Sequence, residues 1–149
     1  IVRVIPNTPS KIGKGVNPYC IGKFTTKEQS EDVQKLLEIF GDAILVDESK
    51  MNIATAITAV GSTYWFPAVK YLLDFTKAKG LDKELGYKLV FETMQGTAEL
   101  ILKTLQGPDE LKLMIGTRTI EEEAVKKLFS EAVNKAYEKI EASEKRLTV

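Results

Sequence analysis

The chain contains no histidine and a single cysteine, Cys20. The first absence removes imidazole acid–base catalysis, Ser-His-Asp and Cys-His nucleophile pairs, and histidine-based zinc sites. The second removes an intramolecular disulfide and any cysteine-rich metal site, which fits a reducing compartment. Net charge is absent too: 21 Lys and Arg balance 21 Asp and Glu, so no overall field favours nucleic acid, an anionic membrane or an acidic partner. The most apolar stretch, Met51 to Val69, is interrupted by Asn52, Thr55, Thr58, Ser62 and Thr63, which is too polar for a membrane span. No charged start followed by an apolar run and a small-residue cleavage site marks a secretory leader. A soluble, cytoplasmic chain is therefore expected, with no metal, nucleic-acid or membrane partner. Any catalysis must use hydroxyls, backbone amides, lysines, carboxylates or a borrowed cofactor.

What remains is ample for a core, since 44% of the 149 residues are hydrophobic. The opening Val2-Arg3-Val4-Ile5 reads as a strand that runs into Pro6-Asn7-Thr8-Pro9, where two prolines fix φ and remove donors. A loop at the carboxyl end of a strand is where open α/β sheets place ligands. The chain reads as entered in mid-domain, and its first residue, Ile1, leads to the expectation of a processed, truncated or isolated piece. Further on come the Gly13-Lys14-Gly15 turn, a strand near Tyr19–Ile21, a helix of about Lys27–Phe40 and a third strand over Ala43–Val46. Thr25 or Thr26 with Glu28 or Gln29 supplies the cap and acidic first turn of that helix, Val33, Leu36, Leu37 and Phe40 its apolar stripe, and Gly41 a left-handed C-cap.

From Asp47 onward the strand signals vanish. A helix from about Lys50 is expected to run past Gly61 towards Lys79 with a bend or break at Pro67. Gly80-Leu81-Asp82 is a stop followed by a new cap, and the next helix ends at Gln106-Gly107-Pro108-Asp109. A short helix through Leu111–Ile115, a turn at Gly116–Thr119 and a final helix carrying Val125, Leu128, Phe129, Ala132, Val133, Ala136 and Ile140 complete the chain. The fold class is mainly α with a small α/β N-terminal part. Residues 1–46 form one region and 47–149 an all-helical one. The helices carry more apolar faces than a small monomer can bury, which predicts a dimer. Tyr64, Trp65 and Phe66 are expected to pack, and Cys20 to be an inert buried thiol.

Several stretches, in order, resemble the pyrroline-5-carboxylate reductase family: Val2 to Pro9, Ile12-Gly13-Lys14-Gly15-Val16, Lys50 to Ile57, Gly61 with Tyr64, and Glu131-Ala132-Val133. The resemblance implies that residues 1–46 are the C-terminal portion of a dinucleotide-binding domain and that 47–149 are a helical domain interlaced with a partner's in a homodimer, or a larger oligomer. It implies reduction of 1-pyrroline-5-carboxylate to proline, in proline biosynthesis, with NADPH or NADH. Read from the residues alone, the one Gly-x-Gly, Gly13-Lys14-Gly15, is followed by Val16, Asn17 and Pro18 rather than a third glycine and a helix, so this chain is not expected to bind the cofactor well by itself.

The resemblance also assigns a site. Asn7 and Thr8 would bind cofactor near the nicotinamide. The family's Thr-Ser-Pro-Gly-Gly-Thr-Thr turn corresponds to Gly116-Thr117-Arg118-Thr119, which keeps one glycine and the last threonine and has no counterpart to Thr-Ser-Pro; Thr119 would act on the imine nitrogen and the Gly116 and Thr117 amides on the carboxylate of the imine acid, for which Arg118, a cation new to the family, is a further candidate. Arg118 has alternative partners in Glu121 to Glu123, whose charge also suits a helix start. Asn52 stands where the family has aspartate, and Thr58 to Tyr64 departs from its Ser-Gly-Ser-Gly-Pro-Ala-Tyr pattern. Two other functions stay open: a related reductase for another imine or keto acid anchored by Arg118, and a catalytically degenerate homologue serving as a dimeric interaction module.

Overall fold

The computed structural model describes residues 1–147. Among these residues are three strands, β1 (Val2–Val4), β2 (Gly15–Ile21) and β3 (Gly41–Leu45), and six α-helices: α1 (Lys27–Glu38) between β2 and β3, and after the sheet α2 (Met51–Thr58), α3 (Ser62–Ala78), α4 (Lys83–Thr104), α5 (Pro108–Leu111) and α6 (Glu122–Leu147). The expected mainly helical fold with a small N-terminal α/β part is the observed one. The chain forms two compact units. One joins Ile1–Tyr64 to the last helix from Lys126 on; the other is Trp65–Val125.

In the first unit the sheet order is β1-β2-β3, with β1 antiparallel and β3 parallel to β2. The register pairs Val4 with Tyr19 and Gly15 with Gly41. β1 stops after three residues for a local reason. Ile5 donates to the Pro18 carbonyl at 3.0 Å, but Pro18 has no N–H to return, and Pro6 has none to continue the ladder. The central strand β2 forms the core: Asn17 is fully buried and Tyr19 and Cys20 nearly so, together with Leu37 of α1 and with Met51 and Ala56 of α2. Of the expected α1 stripe, Leu37 alone is buried. Thr26 caps α1 in a reciprocal pair with Gln29, as its sequence foretold.

Gly41 differs from expectation. Its φ is +130°, outside the left-handed well, and it opens β3 instead of capping α1. A side chain there would run into the Gly15 backbone across the β2–β3 pair. The long expected helix is also divided, at Gly61 and not at Pro67. The amides of Ala59 and Val60 both converge on the Thr55 carbonyl, at 3.0 and 3.3 Å, which ends α2 in a widened turn. A Cβ at Gly61 would strike the Ile57 carbonyl, so this turn requires glycine. Pro67 lies little more than a turn inside α3, where it removes one ladder bond without ending the helix.

In the second unit Gly80, at φ +85°, ends the turn after α3, and Asp82 caps α4 by accepting from the Leu85 amide at 3.0 Å. Gly86 lets α4 approach α3, since a Cβ there would lie 2.6 Å from Thr76 Oγ1. Large apolar residues stay in water along both helices, among them Phe66 (59% exposed), Tyr71 (71%) and Phe75 (51%) of α3 and Tyr87 and Leu89 of α4. No helix among the described residues is long and apolar enough to cross a membrane.

Replacing Gly41 by Ala is expected to cost at least about 2 kcal/mol, because a strained φ and a backbone collision combine. Urea unfolding of the two chains measures it.

Candidate functional site

The Pro6–Pro9 segment is a wired turn. Asn7 precedes a short 3-10 turn over Thr8–Ile12, and its carbonyl accepts from Ser10 N at 3.0 Å. Its side-chain Oδ1 accepts from the Val16 amide at 3.0 Å, and its Nδ2 reaches the Thr58 carbonyl at the end of α2 at 3.4 Å. Ser10 Oγ donates to buried Asn17 at 2.8 Å. These bonds fasten the turn to β2 and α2. Asn7 is half-buried, whereas Pro6 and Thr8 are exposed.

At the start of α3, Tyr64 donates its hydroxyl to the Ala56 carbonyl at 2.9 Å, and its ring lies 6.1 Å from that of Phe129 on α6. Tyr64 therefore packs as expected. Trp65 and Phe66, more than half exposed, do not pack within this chain to that degree.

Gly116 to Thr119 lie in the second unit, in the irregular, exposed segment between the 3-10 turn Lys112–Met114 and α6. Nothing lies within 4 Å of a Cβ built at Gly116, so its surroundings leave room for a side chain. Arg118 is exposed, and the Glu122 carboxylate is held by Lys112 instead, at 2.7 Å, with Asp109 on the same ammonium at 2.8 Å. Those carboxylates hold the Lys112 pKa above the usual lysine range.

A second cluster was not legible in the sequence. Arg3 of β1 pairs with Glu48 and, at 3.0 Å, with Glu144 of α6. Asn52 of α2 donates to Glu144 at 2.6 Å, and the Cys20 thiol donates to Glu48 at 2.6 Å. Burial and the neighbouring carboxylate push the Cys20 thiol up to about 11. The thiol and Arg3 hold the Glu48 carboxyl below the usual range, and Asn52 and Arg3 do the same for Glu144. Cys20 is thus a buried, protonated thiol, in keeping with the inert role expected of it. An arginine in an apolar strand was the one available signal; Glu144 lies too far along the chain to be paired with it by spacing.

Residues 48–143 match the family model described as pyrroline-5-carboxylate reductase dimerisation. The chain belongs to the pyrroline-5-carboxylate reductase family. The Mycobacterium leprae pyrroline-5-carboxylate reductase is 34% identical over 105 residues, which are 70% of this chain and 36% of that protein. The Methanosarcina acetivorans enzyme is 30% identical over 151 residues, covering 93% of this chain and 55% of its own length. A crystal structure of Plasmodium falciparum pyrroline carboxylate reductase with NADP bound superposes with a TM-score of 0.86 at 32% identity, over 95% of this chain and 61% of that one. This chain therefore spans roughly a third to three-fifths of the reductases it matches.

Gly15 opens a buried strand rather than a helix, so the Gly13-Lys14-Gly15 segment presents no row of free helix amides to a pyrophosphate. The Thr8 hydroxyl at the wired turn is exposed. The reductase-family match also supports self-association, because the matched region is a dimerisation domain.

Asn52, where the family resemblance has aspartate, is explained by Glu144. Asn52→Asp would set two carboxylates side by side, each raising the other's pKa. The variant is expected to lose stability at neutral pH and regain it as the pH falls through those raised values, and Glu144→Gln should restore it at neutral pH. Thermal melts across pH test both.

Proposed function

We propose that this chain is the substrate-side, dimer-forming portion of a pyrroline-5-carboxylate reductase, which reduces 1-pyrroline-5-carboxylate to proline in the cytoplasm. The observation that carries this reading is the dimerisation-family match over residues 48–143, joined to the 0.86 superposition on an NADP-bound relative. Residues 1–46 would close a dinucleotide-binding domain whose glycine motif lies outside these residues, and 47–149 would form the helical domain. NADPH or NADH supplies the hydride when bound. The chain's own groups have modest work: to hold a planar imine in line, to bind a carboxylate and to manage one proton.

In this reading the Thr119 hydroxyl hydrogen-bonds the ring nitrogen and relays to it a proton from solvent water, giving one and taking one back, as hydride reduces the adjacent carbon. The amides of Gly116 and Thr117 receive the carboxylate, and the exposed Arg118 guanidinium adds a charge-assisted contact to it. The exposure of this segment leaves those donors free to meet a ligand. The Asn7–Thr8 turn borders the nicotinamide. A second copy covers the apolar residues of α3 and α4, where Phe66, Tyr87 and Phe91 line a groove of about 750 Å³.

Two outcomes are expected. The polypeptide read from the full open reading frame should oxidise NAD(P)H on addition of pyrroline-5-carboxylate, and Thr119→Val should lower kcat on the order of tenfold to a hundredfold. Normal dinucleotide binding without oxidation would overturn the substrate assignment. Light scattering on the present chain at micromolar concentration should give at least twice 16.6 kDa, and Phe66→Asp should weaken association by on the order of tenfold or more.

A further inference from the structure

We propose that Asn7 is a positioning residue, which holds the turn from behind so that Thr8 meets the ligand. The inference rests on the reading that this turn borders the nicotinamide, but its geometry is its own. The two neighbours are oppositely disposed: Thr8 is exposed and its hydroxyl makes no hydrogen bond among the described residues, while Asn7 is half-buried. Both ends of the Asn7 amide are engaged. Oδ1 takes the Val16 N–H at 3.0 Å, and Nδ2 spans 3.4 Å to the Thr58 carbonyl.

The first bond matters more. It is the shorter, and it satisfies the Val16 amide in the second residue of β2, which pairs with β3 across Gly15 and Gly41. That bond and the one from Ser10 to Asn17, at 2.8 Å, fix the turn to neighbouring residues of the central strand. A turn held at two points presents its exposed hydroxyl without first having to be ordered, which saves conformational entropy on binding. Asn7 acts through Thr8, and aspartate, which keeps the acceptor oxygen, is the conservative replacement.

The experiment has two readouts. On the present chain, amide hydrogen exchange should show Val16 opening on the order of tenfold faster in Asn7→Ala and near wild type in Asn7→Asp, with Thr8→Val leaving it unchanged. On the polypeptide read from the full reading frame, Asn7→Ala should raise the dinucleotide KM by on the order of tenfold at nearly constant kcat, Asn7→Asp should restore it, and Thr8→Val should raise it. Unchanged Val16 exchange in Asn7→Ala overturns the proposal. So does a raised KM in Asn7→Asp with Val16 still protected, which would make the Asn7 amide itself the contact. Failure of the full polypeptide to bind dinucleotide would instead count against the functional reading, while the exchange result still decides whether Asn7 holds the turn.

Discussion

Burial of apolar surface is the constraint on which the rest of this molecule depends. Trp65, Phe66, Tyr71 and Phe75 on α3, and Leu85, Tyr87, Leu89 and Phe91 on α4, keep close to half or more of their surface in water in the single chain. Full burial of a large side chain is worth roughly 1.5–3 kcal/mol, and each of these forgoes about half of it, so two long helices with this surface are a poor monomer and a good half of an assembly. The match of residues 48–143 to a dimerisation family agrees with that physical argument.

The first unit solves the opposite problem. Its sheet has only three strands, and its buried centre is a strand containing a proline and an asparagine. It stays ordered because the polar groups are answered: Asn17 by Ser10 and by the Asp42 carbonyl, and Arg3 by Glu48, Glu144 and Asn52. The Arg3 cluster draws β1, the start of α2 and the end of α6 to one point. A half-buried arginine left without these carboxylates would be costly, so the cluster matters more for what its loss exposes than for its net attraction.

The same cluster changes the meaning of Asn52. Beside the family pattern it reads as a departure that unsettles the substrate. In the fold it is an amide facing a carboxylate from another helix, a position where a neutral donor is the compatible choice. The departures at Gly116 to Thr119 have no such structural account: those residues are exposed, Gly116 has open space around it, and Lys112 has taken Glu122, one of the three carboxylates that Arg118 was a candidate to hold.

Much of this was determined by local sequence. The Thr26 cap, the Asp82 cap, the helical second half and the exclusion of histidine and thiol chemistry follow from residue types and spacing, because caps, periodicity and titratable groups act over a few residues. The motif at Val2 to Pro9 carried the family for the same reason. Where local rules competed, the tertiary structure decided. Pro67 lost to Gly61 as the helix break because a Cβ at residue 61 collides with a carbonyl one turn back, and Gly41 became a strand residue because Gly15 lies against it. Asn7 and Thr8, adjacent turn residues equal in the sequence, were separated into an inner and an outer one by the Val16 amide. Pairings such as Arg3 with Glu144 depend on which elements pack together, and no spacing along the chain encodes that.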